Sequence, residues 1–134
     1  MIPKIKIKNI FQWIPAFLWM TLIFYLSSGP TTIIKGTSIE RFLVLKTFHL
    51  IEYAVLLILF IFAALSPAKS ILLSYLYSLT DELHQFFIPG RNGRFRDTLI
   101  DLLGILIGLV VLQFFKKTFP KLRHKLLHCG KPKS

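Results

Sequence analysis

Four apolar stretches, each close to the roughly 20 residues of helix that cross a hydrocarbon core, constrain this chain more than any other feature. They run from Ile10 to Ser27, from Phe48 to Leu65, from Ser70 to Phe87 and from Thr98 to Phe115. Gly29 and Pro30, then Ser66 and Pro67, then Pro89, Gly90 and Gly93 stand between them, and such residues turn or break helices. A backbone in lipid must satisfy its own N–H and C=O groups, and none of the stretches alternates with the two-residue period of a barrel strand. The expected fold is therefore all-α, a four-helix transmembrane bundle. Hydrophobic residues supply 54% of the 134 positions, above the share usual in soluble domains.

The organisation that follows is a basic amino end over 1–9, one transmembrane domain over 10–115 and a basic tail over 116–134. No internal repeat or low-complexity segment interrupts it. The first apolar run exceeds the usual signal-peptide core of about 7 to 15 residues, carries Trp13 and Trp19 and lacks a small-x-small cleavage site, so an uncleaved first helix is expected. Cys129 stands alone in the tail, which excludes an internal disulfide and leaves the redox compartment unassigned.

With an even number of spans, the amino end, the turn at 66–70 and the tail share one side. That side carries Lys4, Lys6, Lys8, Lys69, Lys116, Lys117, Lys121, Arg123, Lys125, Lys131 and Lys133 and no acid. The other side carries Lys35, Arg41, Lys46, Arg91, Arg94 and Arg96 together with all the acids, Glu40, Glu52, Asp81, Glu82, Asp97 and Asp101. The whole net charge of +11 thus belongs to the first side, and the positive-inside rule makes both termini cytoplasmic, the location a bacterial plasma membrane. The basic tail is read as a topology determinant resting on anionic headgroups; no motif supports nucleic-acid binding.

Ionisable groups inside apolar helices are costly and mark a site by default. Span two carries Lys46, His49 and Tyr53 on one helical stripe with Glu52 beside it; span three carries Asp81, Glu82, His84 and Gln85; span four opens with Asp97 and Asp101, one turn apart. At 1.5 Å of rise per residue, these groups lie within roughly 12 Å of the outer boundary, so three helices are expected to converge on one polar pocket. The loop Pro89-Gly90-Arg91-Asn92-Gly93-Arg94-Phe95-Arg96 hangs over it. Its arginines pair with the nearby carboxylates, with an anionic ligand, or with lipid phosphates. Gly104 and Gly108 form a GxxxG spacing that suits close helix packing. His49 with Glu52, and His84 with Asp81, have ligand-type side chains, but spacing alone does not make a metal site; no metal or other cofactor is expected. His124 and His128 read as solvated, and Tyr25, Tyr75 and Tyr77 as interfacial or packing aromatics.

The stretch Lys46-Thr-Phe-His49-Leu-Ile-Glu52-Tyr53, the block Asp81-Glu82-Leu-His84-Gln85 leading to Pro89-Gly90-Arg91, and Asp97-Thr-Leu-Ile-Asp101-Leu-Leu-Gly104 with Gly108 closely resemble the VanZ-like family of small bacterial membrane proteins. The resemblance covers roughly residues 10–115. It implies a cell-envelope protein, of the kind whose namesake lowers susceptibility to the glycopeptide antibiotic teicoplanin.

Three functions fit these residues. In the first, an outer-leaflet pocket binds an anionic envelope component such as a lipid-linked phosphate: Arg91 and Lys46 contact the anion, while His49, Glu52, Asp81, Glu82, Gln85, Asp97 and Asp101 orient them and bond the ligand's polar parts. In the second, the same residues form an enzyme acting on a phosphorylated or acylated envelope lipid, with His49 or Glu52 as base and Asp81 or Glu82 as acid; no serine elbow, zinc-protease motif or phosphate-binding glycine loop accompanies them. In the third, the polar residues only knit the helices together, and the protein acts through a partner protein. Expected partners are membrane lipids and a lipid-linked precursor or glycopeptide.

Overall fold

Pro15 sets where the first helix of the structure begins. The structure, a computed structural model, describes residues 10–29, 36–63, 65–89, 91 and 96–118. Among these there are four helices and no strand: α1 (Ile14–Ser27), α2 (Ser38–Phe62), α3 (Pro67–Phe86) and α4 (Thr98–Thr118). Lys35, Gly90, Gly93, Arg94, the basic amino end and the tail beyond residue 118, with Cys129, His124 and His128, lie outside the described residues.

The element limits depart from the apolar stretches for local reasons. Proline has no N–H and its ring clashes with the preceding turn, so a turn at Gln12 and Trp13 separates helical Ile10 and Phe11 from α1, which starts at Ile14 with Pro15 in its first turn. Helix α2 starts well before Phe48 because Thr37 and Glu40 form a reciprocal capping box: Glu40 N–H donates to Thr37 Oγ1 at 3.2 Å and Thr37 N–H donates to Glu40 Oε2 at 2.8 Å. Gly36 precedes the box with φ +134°, and a Cβ there would sit 2.7 Å from Glu40 Oε2. Helix α3 follows Ser66 directly; the Ser66 hydroxyl accepts from Lys69 N–H at 3.4 Å and Pro67 takes the first helical position, where a missing N–H costs nothing.

Helices α2 and α4 are long and apolar enough to cross a membrane, and only 28% of the most apolar stretch of each is buried within the protein, unlike the core helix of a soluble domain. The other two differ from the expectation of four equivalent spans. The 14 residues of α1 rise about 21 Å, short of a hydrocarbon core of about 30 Å. Helix α3 carries Lys69, Asp81 and Glu82, more charge than an apolar crossing ordinarily holds.

The packing inverts the pattern of a water-soluble domain. All the side chains that α3 buries are polar, Ser70, Ser74, Ser78, Asp81, Glu82 and Gln85, while Leu83 is 55% and Phe86 66% exposed. The apolar core is small and lies beside this face: Tyr53, Leu56, Leu57 and Phe60 of α2, Ala16 and Ile23 of α1, and Ile105 of α4.

The most extensive helix contact joins α2 to α4, and the two run parallel. A Cβ at Gly104 would lie 2.5 Å from the Leu50 carbonyl oxygen and one at Gly108 would lie 2.6 Å from that of Ala54. The backbones therefore touch along one turn of each helix, as expected for small residues spaced by four. Gly104→Ala and Gly108→Ala should each lower stability by about 1–3 kcal/mol, read from denaturant unfolding in detergent micelles. Wild-type stability in both would contradict the close approach.

Candidate functional site

The parallel register of α2 and α4 brings their polar residues into a ladder. Lys46 Nζ lies 2.6 Å from Asp97 Oδ2, both partly shielded from solvent. One turn deeper, His49 Nδ1 meets Asp101 Oδ1 at 3.0 Å, with both side chains buried. Steps of three residues on α2 and four on α4 keep the partners opposed, and Gly104 permits the approach.

A second chain of hydrogen bonds runs from α2 through α3 to α1. Tyr53 donates its hydroxyl to Asp81 Oδ2 at 3.3 Å, and Gln85 Nε2 donates to the same oxygen at 2.9 Å. Gln85 Oε1 accepts from Arg91 Nη1 at 3.2 Å. Arg91 then reaches the carboxyl end of α1, with Nε donating to the Gly29 carbonyl at 2.9 Å and Nη2 to the Leu26 carbonyl at 2.8 Å. A guanidinium there satisfies carbonyls that the end of a helix leaves open and complements its dipole.

Glu52 is buried between the two chains and feels the charges of His49, Asp81, Asp101 and Arg91. Glu82 is buried on α3 beside Asp81. The expected residues Lys46, His49, Glu52, Tyr53, Asp81, Glu82, Gln85, Asp97 and Asp101 are thus gathered at one end of the helices.

Several details depart from the sequence-based expectation. Arg91 does not pair with an acid: its hydrogen bonds to described residues all end on neutral oxygens. Burial pushes its guanidinium below the usual value while Asp81, Glu52 and Glu82 act in the opposite direction; an arginine stays charged under such conditions. Lys46 is bridged to Asp97, one of the acids expected to orient it. His84 turns away from Asp81, stacks on Phe24 with ring centroids 4.3 Å apart and bonds the Ser28 hydroxyl at 3.0 Å. That removes it from any shared ligand set, and among the described residues no group of three or more His, Cys, Asp or Glu side chains is arranged to hold a metal ion. Glu40 is spent in the cap of α2, and Arg96 is exposed.

The contribution of α1 was not anticipated. Besides Leu26, Ser28 and Gly29, Trp19 Nε1 donates to the Glu52 carbonyl at 2.9 Å and the Met20 carbonyl accepts from the Tyr77 hydroxyl at 2.6 Å. Most of these α1 partners are backbone carbonyls, which any residue would supply, so side-chain identity gave little signal.

Two carboxylates keep an unused oxygen. Asp81 Oδ1 and Asp101 Oδ2 have no hydrogen-bond partner among the described residues, although their residues are only 3% and 1% exposed. A carboxylate oxygen buried without a donor is costly, and such atoms occur where protons, water or ligand groups are handled.

The family model described as VanZ/LLP1 matches residues 5–116. The chain belongs to the VanZ/LLP1 family. All the polar residues of the two hydrogen-bond chains fall inside the matched region. No curated protein and no solved structure matches the chain. Family membership, the two apolar helices and the exposed apolar exterior make this a VanZ-like membrane protein.

The ladder has a measurable energetic consequence. Removing one partner of a buried pair strands the other, so His49→Leu should cost about 3–5 kcal/mol, whereas the double variant His49→Leu/Asp101→Leu should recover most of that loss. Unfolding midpoints of the single and double variants check this; additive losses would show that the two side chains do not meet.

Proposed function

We propose that this VanZ-like protein crosses the bacterial plasma membrane four times with both termini in the cytoplasm, and that its polar cluster binds an anionic envelope component at the outer leaflet, for example a lipid-linked phosphate. The domain limits are those of the sequence, a transmembrane unit over 10–115 with cytoplasmic ends 1–9 and 116–134. Lys69, Lys116 and Lys117 stand at the ends of α3 and α4 remote from the acids, in keeping with a cytoplasmic side rich in lysine. Charged α3 is accommodated because Ser70, Ser74, Ser78, Asp81, Glu82 and Gln85 face protein and leucines such as Leu72, Leu76 and Leu83 lie outside.

The observation that carries the binding reading is Arg91. It is the cation of the cluster whose direct hydrogen bonds to described residues include no carboxylate, and guanidinium has donors left over for phosphate oxygens. Lys46, with Asp97, serves to fix α2 against α4 beside the anion. A protein that retains a glycopeptide target or its precursor in this way would lower teicoplanin susceptibility.

One geometric detail favours catalysis as a second reading. Asp101 holds His49 through Nδ1, the arrangement that orients an imidazole so that Nε2 acts as base, with Glu52 alongside. Turnover of labelled phosphorylated or acylated envelope lipids, abolished in His49→Gln, would establish it; a broad lipid panel left unprocessed by the wild type would dismiss it.

Native mass spectrometry of the purified protein with anionic and zwitterionic lipids tests the leading reading. Losing a charge-assisted hydrogen bond of about 1.5–3 kcal/mol should weaken retention of the anionic lipid by about 10–100-fold in Arg91→Ala, with folded yield unchanged. Equal retention by variant and wild type would refute anion capture, and a collapse in folded yield would favour a purely structural network. In whole cells, a cysteine at position 91 should react with an impermeant thiol reagent and one at position 117 should not.

A further inference from the structure

The buried face of α3 continues beyond the polar cluster as a row of hydroxyls. Ser66, Ser70, Ser74 and Ser78 are spaced by four residues and lead to Asp81, and Ser70, Ser74 and Ser78 are each 0% exposed. Small side chains let helices approach, but alanine would do so without a polar atom to satisfy. Ser70 Oγ donates to the Ser66 carbonyl at 3.1 Å and Ser78 Oγ to the Tyr75 carbonyl at 3.0 Å, the usual way a serine is satisfied within a helix. Ser74 Oγ does neither and has no partner among the described residues. At the head of the row, Asp81 uses Oδ2 for Tyr53 and Gln85 and leaves Oδ1 unbonded. Two fully enclosed acceptors on one helix face thus call for something small that hydrogen-bonds.

We propose that this face of α3 is a proton path, in which water-bridged hydroxyls of Ser78, Ser74 and Ser70 join Asp81 in the polar cluster to Ser66 at the opposite end of the helix. Neighbouring serines are separated by about 6 Å of rise, a gap that one bridging water spans with two hydrogen bonds. The whole row covers about 22 Å, most of a hydrocarbon core. Asp81 Oδ1 accepts a proton from the cluster side and releases it to the water next to Ser78. At each later step one O–H bond breaks as the next forms, so every hydroxyl keeps one proton, turns back to its starting orientation before the next transfer, and needs no redox partner.

The groups that face Asp81 and set its exchange come from every packed element. They are Glu52 and Tyr53 on α2, Tyr77 on α3, Arg91 after α3, and Asp101 on α4. Transmembrane chains of Asp, Glu and His commonly move protons. The inference rests on the four-span reading, because only then do Asp81 and Ser66 face opposite compartments; it does not require that a lipid be bound.

Protein reconstituted into liposomes containing a pH-sensitive dye, with a potassium-diffusion potential imposed, tests it. Wild type should acidify the lumen faster than protein-free liposomes. Ser74→Val should slow this by about tenfold through loss of one bridged step, while Ser74→Thr, of the same shape but with its hydroxyl retained, should keep most of the rate. Asp81→Asn should abolish it. Lipid retention measured on the Ser74 variants should match wild type even where Ser74→Val slows the proton flux, so the binding and conduction readings fail separately. Wild-type flux no faster than empty liposomes, equal rates in the Thr and Val variants, or flux that follows sodium or potassium instead of pH would overturn the path. Impermeant labelling at position 91 keeps a failure of the four-span topology distinguishable.

Discussion

Polar side chains shielded from water by an apolar exterior find hydrogen-bond partners only within the protein, in one another or in backbone carbonyls, and this restriction shapes the rest of the molecule. It explains why α3 turns its serines, acids and glutamine inward and its leucines outward. It also explains why the side chains of highest cost, Asp101 and Asp81, each hold at least one bond across a helix interface, to His49 and to Tyr53 respectively. The apolar core is correspondingly modest, and its centre at Tyr53, Leu56 and Leu57 lies next to the polar cluster on the same helix. The α2–α4 and α2–α3 contacts that hold His49 to Asp101 and Tyr53 to Asp81 thus also order the site.

The α2–α4 contact converts that requirement into geometry. With Gly104 against Leu50 and Gly108 against Ala54, the helices are close enough for a 2.6 Å Lys46–Asp97 bridge and a 3.0 Å His49–Asp101 bond. A larger residue at either glycine would separate both pairs at once. Helix α1 enters through different chemistry, offering carbonyls to Arg91, Trp19 to the backbone of Glu52, and Ser28 to His84. Arg91 thereby joins the segment after α3 to the end of α1, and its position depends on two elements remote in sequence.

Much of this was legible beforehand. The spacing of Lys46, His49 and Tyr53, the four-residue step from Asp97 to Asp101, and the pairing of Asp81 with Gln85 read directly as helix faces, and the glycine spacing read as close packing. The early start of α2 was hidden because hydropathy registers the apolar run and overlooks a capping box at Thr37 and Glu40. The carbonyl partners of Arg91 at the end of α1 were hidden because carbonyls carry no residue signature. His84 was misplaced for a related reason: its neighbours at three and four residues were visible, whereas Ser28 on another helix was not. The serine row was present in the sequence at a regular spacing, yet single hydroxyls in an apolar stretch do not stand out until burial shows that they share the inward face.

The central claim is that polar faces are pooled within the bundle and apolar faces meet lipid. Paramagnetic relaxation of assigned side-chain resonances by a nitroxide carried on a lipid chain measures this directly in bilayer discs. Strong broadening of Leu72, Leu76, Leu83, Leu103 and Val110, with Ser74, Ser78 and Ile105 protected, is the predicted result. Broadening of Ser74 and Ser78 equal to that of Leu76 would contradict it.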